Sequence, residues 1–177
     1  MISLKSVGSR FNEPVRIVGG AKTHARIQRA SDGGAPGVEF ALPKTTLRVR
    51  PGSIITAGLV VQLPGGDKFL TAEHSETAEY RTFHLFQTDR NVSWTKPLTR
   101  LHPVSKQPIG NGSESMGLIW VMWERTRREF MDLSIRIAQE NYMVATGAPV
   151  EIGHYVDGKL VKRVSHALGV RILELQG

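Results

Sequence analysis

Histidine, serine and acidic side chains are the residues of this sequence that could move a proton, attack a carbonyl or hold a metal. Their spacing argues against each. The six histidines (His24, His74, His84, His102, His154 and His166) include no pair four apart with a glutamate between them, as a metalloprotease helix requires. The densest set of metal-ligand types is Glu73-His74-Ser75-Glu76. Neighbouring residues of a strand point to opposite faces, so this run reads as the polar end of a hairpin. Ser75, His84 and Asp89 supply the types of a nucleophilic triad, but no G-x-S-x-G turn presents the serine. A hydrolase would need His74, His84 or His154 to meet a carboxylate and a nucleophile in one pocket. Cysteine is absent, which removes disulfides, thiolate metal sites and thiol catalysis. The glycine pairs at 19–20, 33–34 and 65–66 have neither phosphate-loop nor dinucleotide spacing. The expectation is a protein that is not an enzyme and takes no cofactor or metal.

Binding to charge is a better-supported chemistry. The 177 residues carry 23 Lys and Arg against 16 Asp and Glu, a net charge of +7. Residues 1–50 hold nine of the basic side chains and three acidic ones (Glu13, Asp32 and Glu39), so +6 of that charge originates there. A segment of this kind is attracted to nucleic acid, an acidic membrane surface or an acidic protein. Arg10, Arg16, Lys22, Arg26, Arg29, Lys44, Arg48 and Arg50 are therefore the candidate contacts to a nucleic acid or an acidic partner. Their scattered spacing suits charges alternating out of strands, not a disordered arm. Tyr80, Phe83 and Phe86 beside Arg81 have the composition of a base-stacking platform, although burial preference favours a core role. Arg125, Arg127 and Arg128 form a compact basic group that Glu124 and Glu129 flank.

The elements that must position these residues follow a period of two. In Thr45–Arg50, Leu47 and Val49 face one way and Arg48 and Arg50 the other, a half-buried strand with a basic outer face that Pro51-Gly52 ends. Ser53–Leu63 reads as a β-branched strand with a bend at Gly58, and Lys68–Glu73 as its returning partner. Tyr80–Thr88 alternates again, and Asn91–Lys96 is a further short strand. Leu118–Glu124 is apolar on both sides, as a central strand is, and 130–138 reads as strand. Asp157-Gly158 supplies the positive φ of a two-residue type I′ turn between 150–156 and 159–164, and Val170–Leu175 closes the chain. Residues 99–116, with Pro103, Pro108, Gly110 and Gly112, read as a long connecting loop. The expected fold is all-β, a small barrel or sandwich of about ten strands built from hairpins, with few or no helices. A basic N-terminal segment and first β module span 1–98, the linker or arm loop 99–116, and a second β module 117–177, packed into one compact domain. No run approaches the 18 apolar residues of a membrane helix, and the first fourteen residues lack the apolar segment of a secretory leader.

Two segments resemble the small all-β neck proteins of tailed bacteriophages, the head-completion, stopper or head–tail connector proteins. The first is Val49-Arg50-Pro51-Gly52-Ser53-Ile54-Ile55 followed by Gly66–His74, similar to the opening hairpin of such barrels. The second is Asp157–Val164 running into Leu168-Gly169-Val170, which resembles their closing hairpin and last strand. The resemblance implies a structural virion protein, assembled in the host cytoplasm and resident in the neck. It implies a ring of copies of this chain, a dodecamer or hexamer, below the portal. The implied partners are the portal or adaptor protein, tail proteins and packaged DNA held through its phosphates. The basic first fifty residues would face a DNA-lined channel or an acidic neighbouring ring, and 99–116 would reach a neighbouring subunit. The alternative is a nucleic-acid-binding β-barrel without sequence preference, which would stack bases on Tyr80, Phe83 or Phe86.

Overall fold

The computed structural model describes residues 11–29, 45–88, 90–101, 104, 108–132 and 135–176; at 29, 99–101, 108–111, 125–132 and 135–141 it describes the backbone alone. Among these residues every regular element is a strand. The strands are β1 (Glu13–Ile17), β2 (Lys22–Arg29), β3 (Thr45–Val49), β4 (Val60–Gln62), β5 (Lys68–Glu76) and β6 (Arg81–Gln87). They continue with β7 (Arg90–Leu101), β8 (Pro108–Asp132), β9 (Ile135–Thr146), β10 (Tyr155–Val156), β11 (Lys159–Ala167) and β12 (Val170–Gln176). They form two closed antiparallel barrels, of order β1-β2-β3-β6-β5-β4 and β10-β11-β12-β9-β8-β7. The all-β expectation therefore holds, in its barrel form.

The chain divides into two compact units, Met1–Asp89 with His166–Val170, and Arg90–Ser165 with Arg171–Gly177. In the first, alternate residues of each strand point inward, and Val15, Ala25, Leu47, Val49, Ile55, Val61, Phe83 and Leu85 make the core. Pairing of Arg16-Ile17 with Gln62-Val61 closes this barrel. Gly169, at φ +73, belongs to the same unit, and a Cβ there would lie 2.5 Å from the Cβ of Ala57. In the second unit the core is Val92, Trp94, Ile119, Val121, Val144, Val150, Val156, Val161, Leu173 and Leu175. Pairing of Tyr155-Val156 with Thr95-Trp94 closes it. Asp157 (φ 52) and Gly158 (φ 72) both take the left-handed region, as the type I′ turn requires.

Three expectations need correction. The first concerns 99–116, of which 102, 103 and 105–107 lie outside the described residues: β7 continues to Leu101 and β8 begins at Pro108, paired from Lys96↔Glu114 to Leu101↔Pro108. The pairing of β7 with β8 has two register shifts, between Trp94 and Thr95 and between Leu98 and Arg100. The chain consequently divides at 89/90, because β7 belongs wholly to the second barrel. The second concerns 130–138, where β8 ends at Asp132 and β9 starts at Ile135, so a hairpin stands in place of one strand. The third concerns Ser53–Leu63, where only Val60–Gln62 is strand. Gly58 (φ 82) turns the chain so that its N–H reaches Thr71 O at 2.8 Å.

β8 is 25 residues long and changes partner along its length. It pairs with β7 up to Val121 and with β9 from Met122 onward. β10 pairs with β7 only at Trp94 and Thr95, and β12 with β9 only from Asn141 to Thr146. Two ribbons of two strands each therefore extend past the third strand. One runs Lys96–Leu101 against Pro108–Glu114, the other Arg127–Asp132 against Ile135–Glu140. At about 3.3 Å per residue each ribbon is roughly 20 Å long.

Candidate functional site

The first barrel turns one face of β1, β2 and β3 inward through Val15, Ala25, Leu47 and Val49, all buried. The alternate residues, Arg16, Lys22, His24, Arg26, Arg48 and Arg50, must then lie on the outer face. Register brings them together. Arg16 sits directly opposite Lys22, and Arg26 directly opposite Arg48. Directly opposed residues are about 5 Å apart at Cβ, and like charges so placed repel. Arg16, Lys22 and Arg50 are exposed, while Arg26 and Arg48 are half-buried.

Nothing among the described residues neutralises this face. The ion pairs there, Arg81–Glu76 at 4.0 Å and Lys96–Glu114 at 3.5 Å, involve none of its members. The nearest acid on these strands, Glu13, turns its carboxylate to the backbone and accepts the N–H of Ile27 at 3.2 Å. Aromatic rings take two of the cations instead. The Arg48 guanidinium lies 4.6 Å from the Tyr80 ring centre, and that of Arg50 lies 5.6 Å from Phe11. Arg48 Nε is nevertheless buried without a hydrogen-bond partner, as is the hydroxyl of Thr82 on the strand position opposite it. Beside Arg50 an open hollow of 490 Å³ is lined by Phe11, Asn12, Thr23, His24 and Ser53. Its chemistry suits an anion: cationic and hydrogen-bond-donating groups with no carboxylate among the residues around it.

Of the eight candidate residues, Arg16, Lys22, Arg26, Arg48 and Arg50 share this face. Arg29 ends β2 opposite Thr45. Arg10 and Lys44 lie outside the described residues. His24, Phe11 and Tyr80 complete the surface. His24 was recoverable from its alternation with Ala25 and Arg26; Phe11, before β1, carried no signal.

The remaining candidates are placed elsewhere. Phe83 is 1% and Phe86 3% exposed, so neither is available to stack on a base. His84 is buried, and its ring lies 4.3 Å from that of exposed His74. Burial lowers the His84 pKa below its ordinary 6.5, and the neighbouring His74 lowers it further. Its Nδ1 has no hydrogen-bond partner, so nothing aims it at Ser75, and Asp89 lies outside the described residues. His154 uses Nδ1 to accept from Trp94 Nε1 at 3.1 Å and from the Glu151 N–H at 3.2 Å, which fixes the ring without a nucleophile. Among the described residues no three His, Asp or Glu side chains converge on a metal position. Among the described residues no helix is long and apolar enough to cross a membrane.

Compared with known proteins, the chain matches no family model, no curated protein and no solved structure.

Proposed function

We propose that this chain is a structural subunit of the tailed-bacteriophage neck, assembling as a ring that joins head to tail and helps retain packaged DNA. The observation that carries the reading is the cationic outer face of the first barrel. Two directly opposed like-charge pairs, Arg16 with Lys22 and Arg26 with Arg48, cost the isolated subunit stability. A polyanion laid across them reverses the sign of that contribution. Phosphates of DNA fit, because Arg and Lys side chains on a strand face contact a backbone without reading bases. Such binding is independent of sequence and falls steeply with salt. The two-barrel architecture offers scaffolding surface, and the described histidines and acids supply no convergent catalytic set.

Electron microscopy of the purified chain, alone and with duplex DNA, tests this reading. A closed ring with the β1–β2–β3 face lining its lumen is expected. A chain that stays monomeric at every concentration, or a ring with that face outward, overturns it.

A further inference from the structure

We infer that the β8–β9 ribbon is an assembly element, and that its two open edges pair with the same ribbon of neighbouring copies. This rests on the ring reading above and specifies how the ring closes. An unpaired strand edge is a row of free N–H and C=O groups, which chains normally blunt with proline, glycine, bulges or short length. The two ribbons of the second unit differ in this respect. The β7–β8 ribbon contains Pro97, Pro108, Gly110 and Gly112, and its register shifts at Leu98/Arg100. The β8–β9 ribbon has no proline or glycine anywhere from Leu118 to Thr146, and its register runs unbroken from Met122↔Ala145 to Asp132↔Ile135. A bare two-stranded ribbon is marginal in water, so this one is built to be covered.

A second copy of the chain is the occupant that matches both edges at once. One edge of the ribbon is β8 and the other is β9, and they run antiparallel. Rotation about a ring axis sets the β9 edge of one copy beside the β8 edge of the next, again antiparallel. Repeated around the ring, this closes a barrel with no free edge. Charge agrees with it: the in-chain register sets Arg127 opposite Glu140, and a neighbour in the same register repeats that opposite-charge pair. Charged residues fall at both sets of alternate positions, Arg128 and Asp132 at one and Arg127, Glu129 and Arg136 at the other. Neither face of the resulting sheet therefore suits lipid.

The absence of cysteine allows a direct test. Two single-cysteine versions of the full chain, Glu129→Cys on β8 and Ala138→Cys on β9, are treated with a short bis-maleimide, separately and mixed. Light scattering on the same samples reads the assembly state. Glu129→Cys is also mixed with Glu140→Cys, two residues out of the in-chain register on the same set of alternate positions, so that a register offset does not decide the result. The inference expects a shift to covalent dimer in the mixtures and its loss when either variant stands alone. Dimer from a single variant alone means a two-fold contact and overturns the head-to-tail pairing. Assembled rings without dimer in either mixture overturn the ribbon assignment and leave the ring reading standing. Chains that light scattering finds monomeric overturn both.

Discussion

The first barrel and the second leave different things unmatched. In the first, every strand has a hydrogen-bonded neighbour on both sides, and what goes without a counter-charge among the described residues is the set of cations Arg16, Lys22, Arg26, Arg48 and Arg50 on the face of β1, β2 and β3. In the second, what goes unpaired among the described residues is backbone, along ribbons that outrun their barrel. Charge attracts at a distance and tolerates many partners, whereas a strand edge demands a specific neighbour in contact. On the proposed reading, the first surface would meet a polyanion and the second would meet copies of the chain.

The largest expected effect breaks the first half of that contrast. Replacing Arg16, Lys22, Arg26 and Arg48 together by Gln should lower the slope of log affinity for duplex DNA against log salt by about four. Fluorescence anisotropy across a salt series reads this, and an unchanged slope would assign the positive charge no role in binding. Next comes packing in the same barrel. Gly169→Ala adds a Cβ 2.5 Å from Ala57 at a left-handed backbone position, and should cost about 2–4 kcal/mol in denaturant unfolding. DNA binding by the folded variant should persist, which separates fold from face.

Smaller effects sharpen the contrast. Trp94→Phe in the second barrel removes the bond to His154 and should cost about 1 kcal/mol, since Nδ1 keeps the Glu151 N–H. Arg26→Gln in the first barrel should do the opposite and raise stability by about 0.2–1 kcal/mol, because it relieves the repulsion with Arg48. A loss of stability there would mean that Arg26 already has its counter-charge within the chain. The smallest effect is the proton on His84. Its folded pKa lies below the unfolded 6.5, so the unfolded chain takes up the proton first. Stability should be full above pH 6.5 and decline as pH falls through the interval down to the folded pKa. His84→Gln should flatten that part of the thermal-melting profile.

The fold class was legible because most strands bury one face, and burial writes a period of two into the sequence. Thr45–Val49 and the Asp157-Gly158 hairpin are examples. Residues 112–118 of β8 are exposed on both faces, Leu118 at 68%, so no burial selects their alternation and the prolines and glycines dominate the reading. The same logic applies to the site. The excess of Arg and Lys in the first fifty residues was visible as composition. That Arg26 faces Arg48 was not, because it depends on a register set by strands 22 residues apart in sequence.

A single uninterrupted strand serves both ribbons, and this has a mechanical consequence. β8 spans 25 residues, roughly 80 Å of extended backbone at about 3.3 Å per residue. Pulling on either tip loads the same covalent chain, and the ladders to β7 and β9 resist in shear, many hydrogen bonds at a time. The strand acts as a tie-rod through the second barrel, so tension applied at one end is delivered to the other without first deforming the packed interior.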